Sequence, residues 1–518
     1  MLTIKRALLS VHDKSGIADF ARGLKDLDVE LVASGGTASC LKDAGIKVVE
    51  VSSLTGFPEI LGGRVKTLHP VVHGGILAVR DDPAQEKELS ANEISPIDMV
   101  VCNLYPFPEV VVGGCEMKEA MENVDIGGPA MIRAAAKNHE GVLVVTDPNQ
   151  YDDVLKEMAG DAGVTGQMRL EFARRAFRLT SVYDSAIYKY LQGSEKDMEF
   201  PRTLWLVFEK VKDLRYGENP HQRGAFYREE FSSEYSLASA KQIQGKELSF
   251  NNIMDMDAAV AIVSGFDRPA CAVVKHANPC GVAFGENAVD AYRRAHLADP
   301  VSAFGGIISL NRKVDAEAAE EIAGTFVECL IAPSYDGAAL EKLKKRKNLR
   351  VMELPSLGGK GASKSLDFKR IRGGFLVQDA DDEEDNAHTW ETVTHRKPDE
   401  KEREAAAFAW KVVRHVKSNS IVFSTQDRTI GIGAGQMSRV DSAELALKKA
   451  RGVGSYTVGT AMASDGFIPF ADSVEVASKA GATVIIQPGG SIRDREVIDA
   501  CNENDIAMIF TKRRHFRH

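Results

Sequence analysis

The chain has 518 residues, a formal net charge of −9, and 44% hydrophobic and 27% charged residues. This composition is ordinary for a folded globular protein, and the length suggests about three domains of ~150 residues each. The acidic balance argues against nucleic acid as a partner, and no apolar stretch reaches the ~20 residues of a membrane span. Seven scattered cysteines without a C-x-x-C pair, and the lack of a signal-peptide pattern, predict free thiols in the cytoplasm.

The first 195 residues alternate short apolar segments with amphipathic ones. We predict strands at residues 6–11, 29–33, 98–104 and 141–146, and helices at residues 15–27, 129–138 and 166–192. This alternation predicts a parallel sheet whose ligand lies at the carboxyl ends of the strands. Residues 193–202 are polar and include a proline, which predicts a domain boundary.

Three segments of this first domain carry groups suited to phosphate. Ser34-Gly35-Gly36-Thr37 follows a predicted strand and opens a helical segment, where backbone N–H groups can face an anion. Residues 62–70 add Arg64, Lys66 and Thr67, and Lys14 follows the first strand. Each segment alone also fits an ordinary turn or a solvated loop. Three cations among glycine and threonine at strand ends favour an anion site.

Tyr105 and Asp125 stand at the end of a predicted strand and before a predicted helix, respectively. Each has a structural alternative, since Asp125 also fits a helix cap and Tyr105 also fits a packed ring. Lys137 follows three alanines on the next helix, and small neighbours allow a ligand or a second chain to approach closely.

Beyond residue 200 the α/β pattern resumes, and the apolar run 270–274 predicts a buried strand. Lys275 and His276 follow it, so an ammonium and an imidazole stand together at a strand end, where ligands usually bind. The neighbouring ammonium favours the neutral imidazole that a general base needs. Asn278 to Gly281 are turn formers and predict a turn after this pair.

Other segments beyond residue 200 predict ligand contacts or solvated loops. Residues 215–222 and 245–252 combine turn formers with hydrogen-bonding side chains, which favours a ligand site. Phe304 beside two glycines fits either a platform for a planar ring or an ordinary core position. The acidic residues 379–385 predict a flexible surface loop, and the basic residues 512–518 predict a frayed, solvated end.

His276 and Cys280 are faintly similar to the H-x-E…P-C-x-x-C pattern of zinc deaminases. Asn278 replaces the proton-shuttling glutamate, and Ala283 replaces the second cysteine, so no metal is expected. Two alternative hypotheses for the function of the chain are a zinc-dependent nucleotide deaminase and a non-catalytic nucleotide-sensing protein.

In chain order, residues 63–70, 103–107, 125–129, 215–222, 275–281, 299–306, 433–436 and 467–470 resemble one family. This is the bifunctional purine-biosynthesis family that joins phosphoribosylaminoimidazolecarboxamide formyltransferase to inosine monophosphate (IMP) cyclohydrolase. The resemblance implies an α/β fold with a methylglyoxal-synthase-like parallel-sheet domain at residues 1–195. It also implies two cytidine-deaminase-like α/β/α subdomains, at residues 200–370 and 371–518.

The same resemblance implies two consecutive reactions. The 5-amino group of 5-aminoimidazole-4-carboxamide ribonucleotide takes a formyl group from the cosubstrate 10-formyltetrahydrofolate, and the product then closes to IMP with loss of water. No catalytic metal is implied, although relatives can bind a structural monovalent cation. The implied assembly is an obligate homodimer whose formyl-transfer sites lie at the subunit interface.

For formyl transfer, the resemblance implies His276 as general base, Lys275 as the group that stabilises developing charge, and Asn419 as the amide that orients the formyl group. It implies nucleotide or folate contacts for Arg215, Tyr216, His221, Asn251, Phe304, Gly306, Glu328, Gln436, Phe467, Asp472 and Arg514. Glu328 stands where some relatives have aspartate. Arg514 is expected to return to a ligand phosphate, which changes the interpretation of the basic tail.

For cyclisation, the implied catalytic residues are Lys66, Tyr105, Asp125 and Lys137. The implied nucleotide- and phosphate-binding residues are Lys14, Ser34, Gly36, Thr37, Arg64 and Thr67. His12 departs from the family, where serine is usual. Since imidazole gains charge at low pH, we expect tighter nucleotide binding at pH 6 than at pH 8.

Overall fold

The computed structural model describes residues 2–160, 163–193, 200–229, 236–357 and 366–518. The chain forms two compact units, unit 1 at Met1–Val207 and unit 2 at Phe208–His518. The segment 193–202, predicted as a boundary, lies partly outside the described residues. The boundary predicted at residues 370 and 371 falls within unit 2 and stays a prediction. Among the described helices, none has the length and apolarity that a membrane crossing requires.

Unit 1 is built on a five-stranded sheet in the order β3-β2-β1-β4-β5, and every pairing is parallel. Its strands are β1 (Arg6–Leu9), β2 (Glu30–Ala33), β3 (Val49–Glu50), β4 (Met99–Val101) and β5 (Leu143–Val145). Its helices are α1 (Ile17–Asp26), α2 (Gly35–Asp43), α3 (Val51–Thr55), α4 (Pro70–Leu77), α5 (Pro83–Ala91), α6 (Phe107–Val112), α7 (Met117–Glu122), α8 (Gly127–Lys137), α9 (Tyr151–Ala159) and α10 (Gly166–Gly193).

The strands of unit 1 are short apolar runs because both faces of a parallel sheet are covered. All residues of β4 and β5 are buried, and so are three of the four in β1. The predicted strands and helices are confirmed, with each strand shorter than the apolar run that predicted it. The sheet therefore has the expected edge, where the carboxyl ends of β1, β2 and β4 meet.

Unit 2 contains two six-stranded mixed sheets built on the same plan. The first has the order β10-β9-β11-β12-β13-β8. Its strands are β8 (Lys241–Gln244), β9 (Ala270–Lys275), β10 (Asn278–Phe284), β11 (Ile307–Leu310), β12 (Cys329–Ala332) and β13 (Arg350–Glu353). Ahead of it in the chain stands a hairpin of β6 (Phe208–Leu214) and β7 (Gly224–Glu229). The helices are α11 (Phe250–Ser264), α12 (Ala288–Leu297), α13 (Pro300–Ala303), α14 (Ala316–Gly324) and α15 (Gly337–Leu343).

The second sheet has the order β16-β21-β20-β19-β17-β18. It follows a hairpin of β14 (Leu366–Ile371) and β15 (Gly374–Asp379). Its strands are β16 (Glu391–Thr392), β17 (Ile421–Ser424), β18 (Thr429–Gly433), β19 (Ala461–Ser464), β20 (Val484–Gln487) and β21 (Ala507–Phe510). The helices are α16 (Glu400–Val413), α17 (Arg439–Gly452), α18 (Asp472–Ala480) and α19 (Asp494–Glu503). In both sheets an antiparallel hairpin, β9–β10 or β17–β18, precedes parallel strands.

The two sheets of unit 2 meet edge to edge along β10 and β18. Ala283 and Arg428 form an antiparallel bridge, and the N–H of Phe284 donates to the carbonyl of Asp427 at 2.7 Å. Helices α11 and α16 contribute to one core shared by both sheets. Because β10 and β18 run antiparallel, the start of β10 lies beside the end of β18. The turn before β10 and the loops around β17 and β18 therefore open on the same edge.

The structure corrects the turn predicted at residues 278–281. These residues form the first half of β10, and the turn is instead made by His276 and Ala277. Pro279 to Gly281 are buried, so tertiary packing overrides the local preference of Asn-Pro and Cys-Gly for turns.

The structure also corrects the flexible loop predicted at residues 379–385 and the frayed end predicted at residues 512–518, because the two segments bond to each other. The buried imidazole of His515 lies 2.5 Å from a carboxylate oxygen of Asp381 and 2.9 Å from one of Asp385. Trp410 Nε1 donates to Asp385 at 2.7 Å. These contacts fix the last residues of the chain against α16.

Candidate functional site

Hydrogen bonds join the loops that follow β1, β2 and β4 in unit 1. The N–H of Val11 donates to Oγ1 of Thr37 at 3.0 Å, and that hydroxyl donates back to the carbonyl of Val11. Asn103 Oδ1 accepts from the N–H of His12 at 2.6 Å. The three strand ends therefore form one continuous surface rather than three separate loops.

Helix α2 begins at this surface, and two lysines lie over its first turn. Lys14 Nζ lies 3.8 Å from the place that a Cβ of Gly36 would take, and Lys66 Nζ lies 3.4 Å from the same place at the preceding glycine. Ser34 and Thr37 are buried, and their hydroxyls bond within the chain. Glu59 Oε1 accepts from the N–H of Gly35 at 3.1 Å, so a phosphate here would meet the two ammonium groups and replace this carboxylate at the helix N-terminus.

The carboxyl of Asp125 lies near Lys66 and His12. Burial raises the pKa of its carboxyl, while hydrogen bonds from the backbone N–H groups of Gly128 and Tyr105 and the charges of Lys66 and His12 oppose the rise. The hydrogen bond from Gly128 measures 2.8 Å. A carboxyl with raised proton affinity beside an ammonium suits proton transfer.

The structural alternatives for Asp125 and Tyr105 have different outcomes. Asp125 does accept a hydrogen bond from the first turn of α8, so its capping and site positions coincide. Tyr105 is 37% exposed and is not a packed ring; it meets the imidazole of His12 edge-on, with ring centroids 5.2 Å apart. The buried Thr67 lies next to the same helix start, because Gly127 has no Cβ to exclude its hydroxyl.

Two predicted residues of unit 1 lie apart from this cluster. Arg64 forms an exposed ion pair with Glu122. Lys137 is the last residue of α8, whereas Asp125 precedes its first residue. Eleven helical residues span about 16 Å, so within one chain Lys137 lies far along the helix from Asp125 and Lys66.

In unit 2, Lys275 and His276 line a cavity of about 430 Å³ at the junction of the two sheets. The other lining residues are Asn278, Pro279, Cys280, Ser302, Ile432, Ala434, Leu445 and Lys449. Lys275 Nζ donates to the carbonyl of Phe304 at 2.8 Å, which leaves two of its three N–H bonds for a ligand. His276 is exposed.

Phe304, Gly306 and Glu328 come together next to Lys275. The N–H of Glu328 donates to the carbonyl of Gly306 at 3.0 Å, and its carboxylate accepts from Nδ2 of Asn252 at 2.9 Å. The Phe304 ring is 64% exposed, so the core alternative is wrong for it. This cluster lies at the carboxyl end of β9 but at the amino ends of β11 and β12, because β9 runs antiparallel to β11.

The segment with Arg215, Tyr216 and His221 is tied to the same region. Asn251, in the first turn of α11, donates from Nδ2 to the carbonyl of Glu218 at 3.3 Å. The Arg215 guanidinium lies 5.6 Å from the Tyr216 ring centre, and both Arg215 and His221 are exposed. The structure therefore brings the predicted nucleotide contacts of the first sheet to one side of it.

A second cavity of about 380 Å³ lies in the second sheet. It is lined by Asn419, Met437, Ser438, Arg439, Val440, Phe467, Pro469, Phe470, Asp472 and Phe516. Arg514 is exposed, with its guanidinium 4.6 Å from the ring centre of Phe516. Three of the predicted residues, Asn419, Phe467 and Asp472, thus line one cavity, and Arg514 lies next to it.

The two cavities of unit 2 share a wall. Asn278 Oδ1 accepts from the N–H of Lys417 at 2.9 Å, and the carbonyl of Lys417 accepts from the N–H of Gly435 at 2.7 Å. Gln436 follows, and its N–H donates to the carbonyl of Asn419 at 3.3 Å. The segments 417–419 and 435–436, which bond to each other, therefore lie between the turn of Lys275 and His276 and the cavity of Asn419.

Sequence reasoning missed three charged residues at these sites. Asp255 on α11 accepts hydrogen bonds from the turn that carries His276. Arg439 contacts Asn419 from a buried position, and Lys449 pairs with Asp299 at 2.8 Å. Only Arg439 carried a local signal, since it lies on the helix face that α17 buries through its alanines.

Cys280 is a poor candidate for a zinc ligand. Burial raises the pKa of its thiol to about 12, whereas a metal needs the thiolate. Within the described ranges, no three His, Cys, Asp or Glu side chains gather in a way that suits a metal ion.

The fold defines a two-unit α/β protein, with a parallel-sheet unit followed by a unit of paired mixed sheets. A family model described as "MGS-like domain" matches residues 16–130. A second, described as "AICARFT/IMPCHase bienzyme", matches residues 135–449. The chain belongs to this bienzyme family.

Two relatives match over the full length. The bifunctional purine biosynthesis protein PurH of Magnetococcus marinus is 50% identical over 532 aligned positions, covering 100% of both chains. The protein of the same name from Acetivibrio thermocellus is 50% identical over 516 positions, covering 99% of this chain and 100% of its own. A solved chain described as "Crystal structure of ForH" is 39% identical over 36% of this chain and 100% of its own, with a TM-score of 0.32.

Family membership makes this chain an enzyme of purine biosynthesis with both activities, the formyltransferase and the IMP cyclohydrolase. The fold class and the function that the resemblance implied are confirmed. The deaminase and sensor alternatives are set aside.

Proposed function

We propose that unit 2 transfers the formyl group and that unit 1 closes the ring, each with the residues described above. The observation that carries the assignment of formyl transfer to unit 2 is the antiparallel meeting of β10 and β18. It supports a formyl-transfer site in which the Lys275–His276 turn and the loop of Asn419 work at one edge of unit 2.

In formyl transfer, His276 takes a proton from the 5-amino group while the nitrogen of that group attacks the formyl carbon. That amine is a weak nucleophile because its lone pair is delocalised into the ring, so loss of the proton must accompany attack. Lys275 stabilises the negative charge that develops on the formyl oxygen. The bond from this carbon to N10 of the folate then breaks, N10 takes a proton, and tetrahydrofolate and the formylated nucleotide are released.

In cyclisation, the carboxamide nitrogen attacks the formyl carbon of the same molecule, and water leaves. Proximity supplies much of the rate in such an intramolecular step. Lys14, Lys66 and the start of α2 support a phosphate site that holds the folded conformer. Lys66 also stabilises the developing oxyanion, and Asp125, with its raised pKa, carries the protons lost by the carboxamide and formylamino nitrogens to the formyl oxygen, which leaves as water.

Folate and a second subunit complete this proposal. The cavity around Phe467 and Asp472 suits the cosubstrate 10-formyltetrahydrofolate, because it offers aromatic walls for a planar ring and a carboxylate for its amine groups.

Val301, Tyr456 and Met437 are among the most exposed apolar side chains of unit 2. We propose that the obligate homodimer that the resemblance implied covers some of these side chains.

Two buried oxygens beside the second cavity support the structural monovalent cation that the resemblance implied. Ser420 Oγ and Asp465 Oδ2 are buried, and no described residue offers either of them a hydrogen bond. Oxygen atoms are the ligands that hard cations take. These two oxygens would hold a structural cation, and potassium is expected to raise the thermal midpoint more than tetramethylammonium at equal ionic strength.

The cytoplasm is the proposed location. All seven cysteines are free thiols, which supports a reducing compartment.

Two variants test the assignment of the two reactions. His276→Ala is expected to stop formation of the formylated nucleotide and to spare cyclisation of the nucleotide formylated beforehand. Lys66→Ala is expected to do the reverse. If each variant lost both activities while remaining folded, the division of labour between the units would be wrong.

A further inference from the structure

The turn that carries His276 has an unusual backbone. Lys275 pairs directly with Asn278, so β9 and β10 are joined by two residues. His276 has φ of 54° and Ala277 has φ of 56°, which puts both in the left-handed region. Two-residue hairpin turns of this type favour Asn-Gly, because a Cβ is disfavoured at positive φ. Neither residue here is glycine, so the turn needs support from elsewhere.

Asp255 on α11 supplies that support. Its Oδ1 accepts from the N–H of Ala277 at 2.7 Å, and its Oδ2 lies 3.3 Å from the N–H of His276. Each carboxylate oxygen thus serves one of the two left-handed residues, and bonds to an ionised acceptor are among the stronger ones.

The helix that carries Asp255 is itself firmly placed. Ser249 caps α11 with a reciprocal pair of bonds to Asn252, and the buried face of the helix packs on β9 and β11. Asp255 therefore anchors the turn to a helix that packs on the sheet. The direction of the His276 side chain depends on the backbone conformation of this turn.

We propose that Asp255 is a positioning residue for formyl transfer, which fixes the left-handed turn so that the imidazole of His276 meets the attacking amine. This inference rests on the proposed role of His276 as general base. Small displacements of a catalytic group cost large factors in rate. The effect of Asp255 therefore falls on the chemical step and only weakly on binding.

Asp255→Ala is the first test. Its kcat for formyl transfer is expected to fall about 10–100-fold, with both KM values within about threefold of wild type. Cyclisation by unit 1 is expected to stay unchanged. Asp255→Asn keeps one acceptor oxygen for two N–H groups and is expected to show an intermediate kcat, which preserves the test if the alanine variant fails to fold.

Asp315→Ala is the matched control. Asp315 also accepts a backbone N–H, that of Ala318 at 2.8 Å, at the start of α14, and it lines neither cavity. This control is expected to lower the thermal midpoint while leaving the kcat of formyl transfer unchanged. Loss of a backbone anchor in general would then be separated from loss of the anchor at His276.

Rescue by glycine is the decisive readout. In the Asp255→Ala background, Ala277→Gly lets the turn adopt positive φ without a Cβ, and kcat is expected to recover at least about tenfold. An Asp255→Ala enzyme with the kcat of wild type, or a folded double variant without recovery, would overturn the inference. A fully active His276→Ala enzyme would instead overturn the proposed role of His276, and this inference with it.

Discussion

Arg439 donates a hydrogen bond from Nη2 to Oδ1 of Asn419 at 2.9 Å. Both N–H bonds of the Asn419 amide go to backbone carbonyls, those of Gln436 at 3.0 Å and Met437 at 3.1 Å. The second lone pair of Oδ1 is the part of the amide left for a ligand. We therefore expect Asn419 to accept a hydrogen bond from the substrate amine rather than to donate one to the formyl oxygen.

The first prediction concerns Arg439→Lys. The guanidinium also bonds Ser464 Oγ at 2.8 Å and forms a buried ion pair with Asp465. Lysine keeps the charge beside Asp465 but lacks the planar fork that reaches all three partners. Formyl transfer is expected to fall at least about tenfold in kcat, with cyclisation unchanged, in steady-state assays of both reactions.

Arg439→Ala provides the contrast to this variant. It leaves the Asp465 carboxylate buried without its guanidinium partner, and breaking such a pair costs about 3–5 kcal/mol. It should be visibly less stable than Arg439→Lys in chemical denaturation. A lysine variant with wild-type kcat would show that the orientation of Asn419 is unimportant.

The second prediction is that Asp125→Asn stabilises unit 1 and stops cyclisation. Because burial raises the pKa of this carboxyl, the folded state binds its proton more tightly than the unfolded state does. Stability is therefore lost as pH rises through the interval from ~3.9 to the folded pKa. Removing the charge is expected to raise the thermal midpoint at pH 7, by about 2–4 °C for each kcal/mol gained.

The pH dependence supplies the control for Asp125→Asn. Below the unfolded pKa both states of the wild type are protonated, so the advantage of the asparagine variant should shrink toward zero as the melting curves are measured at falling pH. An advantage that is independent of pH would point to packing rather than to the charge.

The third prediction uses mixed dimers to test Lys137. Since Lys137 lies at the far end of α8 from Asp125, we expect it to serve the site of a second subunit. Lys66→Ala and Lys137→Ala homodimers should both be inactive in cyclisation. Co-refolding them should restore about a quarter of wild-type activity, because half of a random mixture is heterodimers with one intact site of two.

Co-refolded chains that stay inactive would contradict action across subunits. A control mixture of Lys66→Ala with Asp125→Ala should remain inactive in either case, because both residues belong to the cluster of one chain.

The fourth prediction concerns His12, which is exposed beside Tyr105 on the loop that follows β1. The wild type is expected to bind IMP more tightly at pH 6 than at pH 8, because the protonated imidazole attracts phosphate. His12→Ser should bind with a smaller difference between the two pH values. Isothermal titration calorimetry measures both, and equal wild-type affinities at pH 6 and 8 would contradict the prediction.

The parallel sheet of unit 1 could be predicted because the sequence signals for each strand and for the loop after it lie next to each other in the chain. Each apolar run is flanked by a loop that carries its own signal, as at Ser34 to Thr37, and parallel strands bring such loops to one edge. The same rule misleads in unit 2. There β9 is antiparallel to β11, so Lys275 follows a strand while Gly306 and Glu328 precede theirs.

The turn at His276 and Ala277 could not be predicted because its support is distant. Nothing in the dipeptide favours positive φ, and the carboxylate that makes it possible lies about 20 residues earlier on a helix. The order of the acidic segment has a similar origin, since its partner His515 lies 130 residues beyond Asp385. Local composition gives no sign of either contact.

The position of β21 has a consequence for how the two activities arise during protein synthesis. This strand lies between β16 and β20, inside the second sheet, and Phe516 beyond it lines the cavity of Asn419. A ribosome delivers unit 1 about 300 residues before Phe516, which at ~5–20 residues per second is roughly 15–60 s. Unit 1, to which we assign ring closure, can therefore fold in the nascent chain before the cavity to which we assign formyl transfer is complete, so the unit proposed for the second reaction is the first to be built.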